Sequence, residues 1–165
     1  MPAHYVLDHN FPLYVAGFAW PRSIEVSRLA EIDPTLIRGH EDWEVLIALS
    51  GRGDVDGFIT NDSRMLNLPR EMIALSRTRL ALVIADGVGH DALRATGLVM
   101  VHLEQVARNT DGQPRIFVLR PSNVQPAVPW ERINSIARHH SVNVNSLVAD
   151  ELAAMGLPRR EPEDP

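Results

Sequence analysis

Leu80-Ala81-Leu82-Val83-Ile84-Ala85-Asp86-Gly87 is the stretch on which the fold turns. An unbroken apolar run of strand length, closed by an Asp-Gly turn, reads as a strand buried on both faces. Strands of that kind belong to parallel sheets covered by helices on either side. Upstream, Gly57-Phe58-Ile59-Thr60 reads as a second such strand, followed by the turn residues Asn61-Asp62-Ser63. Tyr5-Val6-Leu7 reads as a first strand ending at Asp8. Ser23 to Leu29 alternates and reads as a strand, and so does Arg115 to Leu119.

Helical patterns fill the gaps. Asn10, with Pro12 in the first turn, predicts a short helix to about Ala19. Residues 41–50 place Trp43, Leu46 and Ile47 on one face, and Gly51-Arg52-Gly53 stops that helix. Pro69 to Ser76 reads as a short helix. Asp91 caps a long one from Ala92 to about Asn109, although Gly97 inside it costs about 1 kcal/mol relative to Ala. Trp130 to His139 and Leu147 to Met155 complete the set, the last capped by Asn145-Ser146 and ended by Gly156. Glu31 to Gly39 reads as a loop and Pro121 to Pro129 as an extended Pro-rich turn. Trp20, Trp43 and Trp130 read as core.

The alternation predicts an α/β fold, a three-layer α/β/α arrangement with a mostly parallel sheet. The 165 residues suit one domain over 1–157. Its core spans about 4–120, with extra C-terminal helices over 121–157 and a disordered tail over 158–165. No apolar run approaches the ~20 residues of a membrane span. No basic-then-apolar leader opens the chain, so the expected compartment is the cytoplasm.

Two absences exclude chemistry. There is no cysteine, which removes disulfides, thiolate nucleophiles and thiolate zinc sites. There is no lysine either, and all 16 basic residues are arginine. That rules out a P-loop, a Schiff-base enzyme and a protein kinase. The net charge of −5 is unlike that of a nucleic-acid coat protein, but it allows a local arginine patch or bound cations.

Three strands end in an acid at what a parallel sheet makes the ligand-binding edge: Leu7-Asp8, Thr60-Asn61-Asp62 and Ala85-Asp86. Gly39-His40-Glu41-Asp42-Trp43-Glu44 adds Asp42 in the first turn of a helix, where the dipole favours a carboxylate. Gathered carboxylates repel one another unless a proton or a cation sits between them. Oxygen ligands without cysteine favour Mg²⁺ or Mn²⁺ over zinc, and such ions support phosphodiester hydrolysis. Each acid alone also suits a cap or a turn, and Asp91 reads as an N-cap. His9 and His40 flank the acids.

At these residues the chain resembles PIN-like domains, the fold of VapC-type toxin ribonucleases. It is most similar to a short group with the pattern Leu-Leu-Asp-Glu-Asn-Leu-Pro, then Ser-Asp-Glu-Glu-Ile, then Thr-Arg-Asp. The matching residues are Val6-Leu7-Asp8-His9-Asn10-Phe11-Pro12, His40-Glu41-Asp42-Trp43-Glu44-Val45-Leu46 and Phe58-Ile59-Thr60-Asn61-Asp62. The resemblance covers residues 4–66 and implies a Mg²⁺- or Mn²⁺-dependent endoribonuclease cutting single-stranded RNA. It implies Asp8, Asp42 and Asp62 as catalytic metal ligands, with Asp86 as a further candidate. Asn10, Glu44, Thr60, Asn61 and Ser63 would support them, and Arg64 and Arg70 are candidates for the RNA backbone. It also admits a toxin role with a cognate antitoxin, and a homodimer. The larger PIN domains carry a further Glu for which Glu25 and Glu31 are poor substitutes, and Met65-Leu66 stands where an aromatic is usual. Two other readings stand beside the nuclease. One is a catalytically degenerate PIN-like binding or assembly module that uses the C-terminal helices. The other, ranked lower, is a phosphohydrolase with a phospho-Asp8 intermediate.

Overall fold

The computed structural model describes residues 1–159. The tail expected to be disordered lies, from residue 160 on, outside the described residues. Six strands form one sheet: β1 (Ala3–Leu7), β2 (Ile24–Arg28), β3 (Gly57–Thr60), β4 (Ala81–Ala85), β5 (Arg115–Arg120) and β6 (Asn123–Ala127). Their order is β2-β1-β3-β4-β5-β6. The first five run parallel, and β6 returns antiparallel to β5.

The helices are α1 (Leu29–Ile32), α2 (Asp42–Arg52), α3 (Pro69–Ser76), α4 (Ala92–Asn109), α5 (Pro129–His139) and α6 (Val144–Ala154). Period-2 alternation divides the strand side chains between two faces. Val6, Phe58, Leu82, Ile84 and Val118 face a core filled from α2, α3, α5 and α6. Tyr5, Leu7, Ile59, Val83 and Phe117 face a second core filled by α4 and by Phe11 and Val15. This is the three-layer α/β/α arrangement. The C-terminal helices are part of it, because Ile133, Ile136, Leu152 and Met155 are buried in the first core. Among the described residues no helix is long and apolar enough to cross a membrane.

Five local expectations are corrected. The helix expected from Asn10 to Ala19 shrinks to a 3₁₀ turn over Leu13–Val15. Asn10 is exposed and caps nothing; Pro12 precedes the turn without a capping side chain. Burial of Phe11 and Val15 anchors the segment, and the Trp20 indole Nε1 donates to the Val15 carbonyl at 2.9 Å, folding the chain back before a helix can extend. The loop expected over 31–39 contains the end of α1 and a 3₁₀ turn, Pro34–Ile37, capped by Asp33. The Pro-rich turn contains β6, where Pro126 pairs with Phe117 on an edge that tolerates a missing donor. Asn143, not Asn145-Ser146, caps α6 by accepting from the Asn145 and Ser146 amides. Trp130 is exposed rather than core.

Gly57 opens the strand between β1 and β4, and the space there suits only glycine. A Cβ would lie 2.7 Å from the Tyr5 ring and 2.8 Å from the Ala81 carbonyl oxygen. The ring cannot yield easily, since Tyr5 is fully buried and its hydroxyl is hydrogen-bonded to the Thr110 hydroxyl at 2.9 Å. Gly57→Ala is therefore expected to destabilise the protein by about 1–3 kcal/mol through overpacking. A lowered urea midpoint at unchanged slope would show it, and an unchanged midpoint would refute this account of the β1–β3 contact.

Candidate functional site

In the order 2-1-3-4-5 the chain departs from β1 to one side and later returns to the other. The resulting switch point, between the carboxyl ends of β1 and β3, is where a crevice opens in such sheets. Asp8 follows β1 and Asp62 follows β3, so both stand at that crevice. Asp42 opens α2, which packs on the same side of the sheet as α3.

Thr60 connects the two strand ends. Its side chain is fully buried; its hydroxyl donates to Asp8 Oδ2 at 2.9 Å and accepts the Asp62 amide at 3.1 Å. The Asp8 amide donates to the Ile59 carbonyl at 2.8 Å, which extends the parallel pairing one residue past β1. Asp8, 9% exposed, also meets His9 Nδ1 at 2.8 Å through Oδ1. Thr60 is thus a positioning residue for Asp8 and for the backbone of Asp62.

Asp42 is placed by a capping box. Glu41 is the N-cap, and the Glu44 carboxylate accepts the Glu41 amide at 2.8 Å. Glu44 also meets His40 at 3.3 Å, so its role is to fix the start of α2. Asp42 itself is half-buried, with no hydrogen bond or ion pair to any described residue. Burial raises its pKa above the ordinary carboxylate value, and the charges of Asp8 and Asp62 raise it further. The three acids therefore share one electrostatic environment. Asp62 moves the other way: hydrogen bonds from Arg64 hold its carboxyl below the usual range. Arg64 Nε donates to Asp62 Oδ1 at 2.8 Å, and Asp62 Oδ1 also caps the following turn by accepting the Arg64 amide at 3.0 Å.

The remaining candidates are dispersed. Asp86 ends β4 one strand further along and pairs with Arg120 Nε at 3.3 Å. The Asn61 amide nitrogen Nδ2 donates to the Gly89 carbonyl at 3.3 Å, joining the loops after β3 and β4. Ser63 begins the 3₁₀ turn Ser63–Asn67, and Asn10 lies exposed beyond Asp8. Arg70 points away from the crevice: it bridges Glu151 at 2.9 Å and Glu41 at 3.1 Å, tying α6 to the N-cap of α2.

One acid near the site escaped the sequence reading. Glu71, in the first turn of α3, is buried; desolvation raises its pKa, and the charge of Asp42 raises it further. In the sequence it looks like an ordinary first-turn acid, because only the packing of α2 on α3 brings it close to Asp42.

Among the described residues, no three His, Asp or Glu side chains stand as a ready metal-holding group. The donor types nevertheless fit a hard divalent cation: carboxylate oxygens alone, one of them raised in pKa by burial and by its acidic neighbours, only partly offset by His9 and Arg64. Arg64 occupies the place of a counter-charge on Asp62. No family model, curated protein or solved structure matches the chain.

The raised pKa of Asp42 has a sign. Between its unfolded and its higher native value the native state binds the extra proton, so stability falls as pH rises through that window. Above it, the ionised Asp42 opposes folding. Asp42→Asn is accordingly expected to raise the melting temperature at neutral pH without divalent ions, and to lose that advantage below the carboxylate range. An Asp42→Asn protein no more stable than wild type at neutral pH would contradict the coupling.

Proposed function

We propose that the protein is a divalent-metal-dependent, PIN-like endoribonuclease acting on single-stranded RNA. The observation that supports the reading is that the charges of Asp8 and Asp62, at the β1/β3 switch point, both reach Asp42, with Thr60 bonded to the first two. Asp8, Asp42 and Asp62 would hold Mg²⁺ or Mn²⁺. The bound ion would supply activation of water and charge neutralisation at a phosphodiester. Thr60 keeps Asp8 oriented, because its buried hydroxyl donates to Oδ2. His9 Nδ1, 2.8 Å from Asp8 Oδ1, helps to orient that carboxylate. The toxin role, a cognate antitoxin and a homodimer belong to the same proposal and rest on the family resemblance.

A second reading, a non-catalytic PIN-like binding module, draws on a specific observation: Arg64 neutralises Asp62, and no preassembled metal group stands among the described residues. One experiment separates the two. Labelled single-stranded RNA incubated with the protein and Mg²⁺ or Mn²⁺ is expected to be cut internally, and chelation of the ion abolishes the cleavage. Asp8→Asn, Asp42→Asn and Asp62→Asn should each lower the rate by about a hundredfold or more, exceeding the loss typical of outer-shell changes. No cleavage by wild type on varied single-stranded RNAs would favour the module, and metal-independent cleavage would contradict the metal-dependent reading.

A further inference from the structure

A cavity of ≈ 510 Å³ lies beside the acidic crevice, between the first turns of α4 and the loops after β4 and β5. The geometry points to this cavity as a nucleotide subsite that takes one base and its phosphate from the substrate strand; the inference rests on the ribonuclease reading. Three features carry it. The first is a pair of guanidinium groups, Arg94 and Arg120, on the lining. Arg94 makes no side-chain bond to any described residue, and Arg120 spends only Nε, on Asp86, which leaves its terminal nitrogens for an anion. A guanidinium fork matches phosphate geometry.

The second is an apolar wall of Val88, Leu98 and Val101, of the kind a base face covers. Within it His102 is buried, with Nε2 2.9 Å from the Arg120 carbonyl. A carbonyl only accepts, so Nε2 carries the hydrogen there. The third is Gly97, which lines the cavity in mid-helix. A Cβ there would meet nothing within 4 Å, so helix packing does not require the glycine. Its absent side chain keeps the cavity open.

The cavity edge is tied to the loop that carries Asp62. The Asn61–Gly89 bond joins the loop after β3 to the loop after β4, whose Asp86, Gly87 and Val88 line the cavity. A strand held by its phosphodiester at Asp8 and Asp62 would meet the cavity with a neighbouring nucleotide.

The test is a titration of the full chain with cytidine and adenosine 5′-monophosphates, followed by amide chemical shifts without divalent ions. Saturable shifts are expected in residues 86–102 and at Arg120. Gly97→Leu places a side chain on the cavity wall, its Cβ meeting nothing within 4 Å, and Arg120→Gln removes the fork. Each should weaken binding by about tenfold or more, the value of a charge-assisted hydrogen bond. Equal affinity in wild type and in a folded Gly97→Leu, or shifts confined to other surfaces, would overturn the subsite. Because the titration needs no cleavage, a protein that binds here but cuts no RNA refutes the ribonuclease reading alone. A protein that cuts RNA without binding here refutes the subsite alone.

Discussion

The buried hydroxyl of Thr60 holds the end of β1 against the end of β3. It donates to Asp8 and accepts from the Asp62 amide, so one side chain sets the relation of two acids on different strands. The pairing is available only because β1 and β3 are parallel neighbours in register, with Leu7 beside Ile59. That adjacency in turn depends on Gly57, whose missing side chain admits the Tyr5 ring and lets β3 lie between β1 and β4. A wet hydroxyl would exchange these bonds for water at little gain; a buried one leaves both partners unsatisfied if it goes.

Around this fixed point the charges are poorly balanced. Asp62 is bonded to Arg64, whereas Asp42 faces two carboxylates and makes no ion pair of its own, so Arg64 offsets them only from a distance. Glu71 adds negative charge behind it. The helix that carries Asp42 is held there from a distance. Arg70 ties its N-cap Glu41 to Glu151 on α6, and α5 and α6 seal the core beneath α3. Exposed ion pairs contribute little stability, so the bridge matters as an orienting device. The C-terminal helices thus support the acidic crevice without entering it. Folding tolerates the strained acid because the two apolar cores supply the driving force, as expected where a site is favoured over local stability.

Much of this was legible in the sequence. β3 and the helices α3 and α4 appear at the expected residues, because apolar runs and caps such as Asp91 and Pro69 are local signals. The positions of Asp8 and Asp62 after neighbouring strands, and of Asp42 in the first turn of α2, were legible too, as acids at strand ends and at a helix start. What stayed hidden depends on tertiary contact. β6 is an edge strand whose Pro126 argues against strand in isolation. The segment after Asp8 looks helical until Trp20 folds back on Val15. Arg70 looks like a free surface cation until α6 arrives, and Glu71 looks solvated until α2 covers it. The sequence also offers no sign that Arg64 turns back onto Asp62.

That the three acids form one divalent-cation site is tested most directly by thermal unfolding across a Mg²⁺ and Mn²⁺ titration, in wild type and in Asp8→Asn. An ion bound only by the native state adds stability by mass action, about 2.7 kcal/mol at a hundred times its dissociation constant. The account predicts a saturable rise in melting temperature for wild type and none for Asp8→Asn. No rise in wild type, or an equal rise in both proteins, would contradict it.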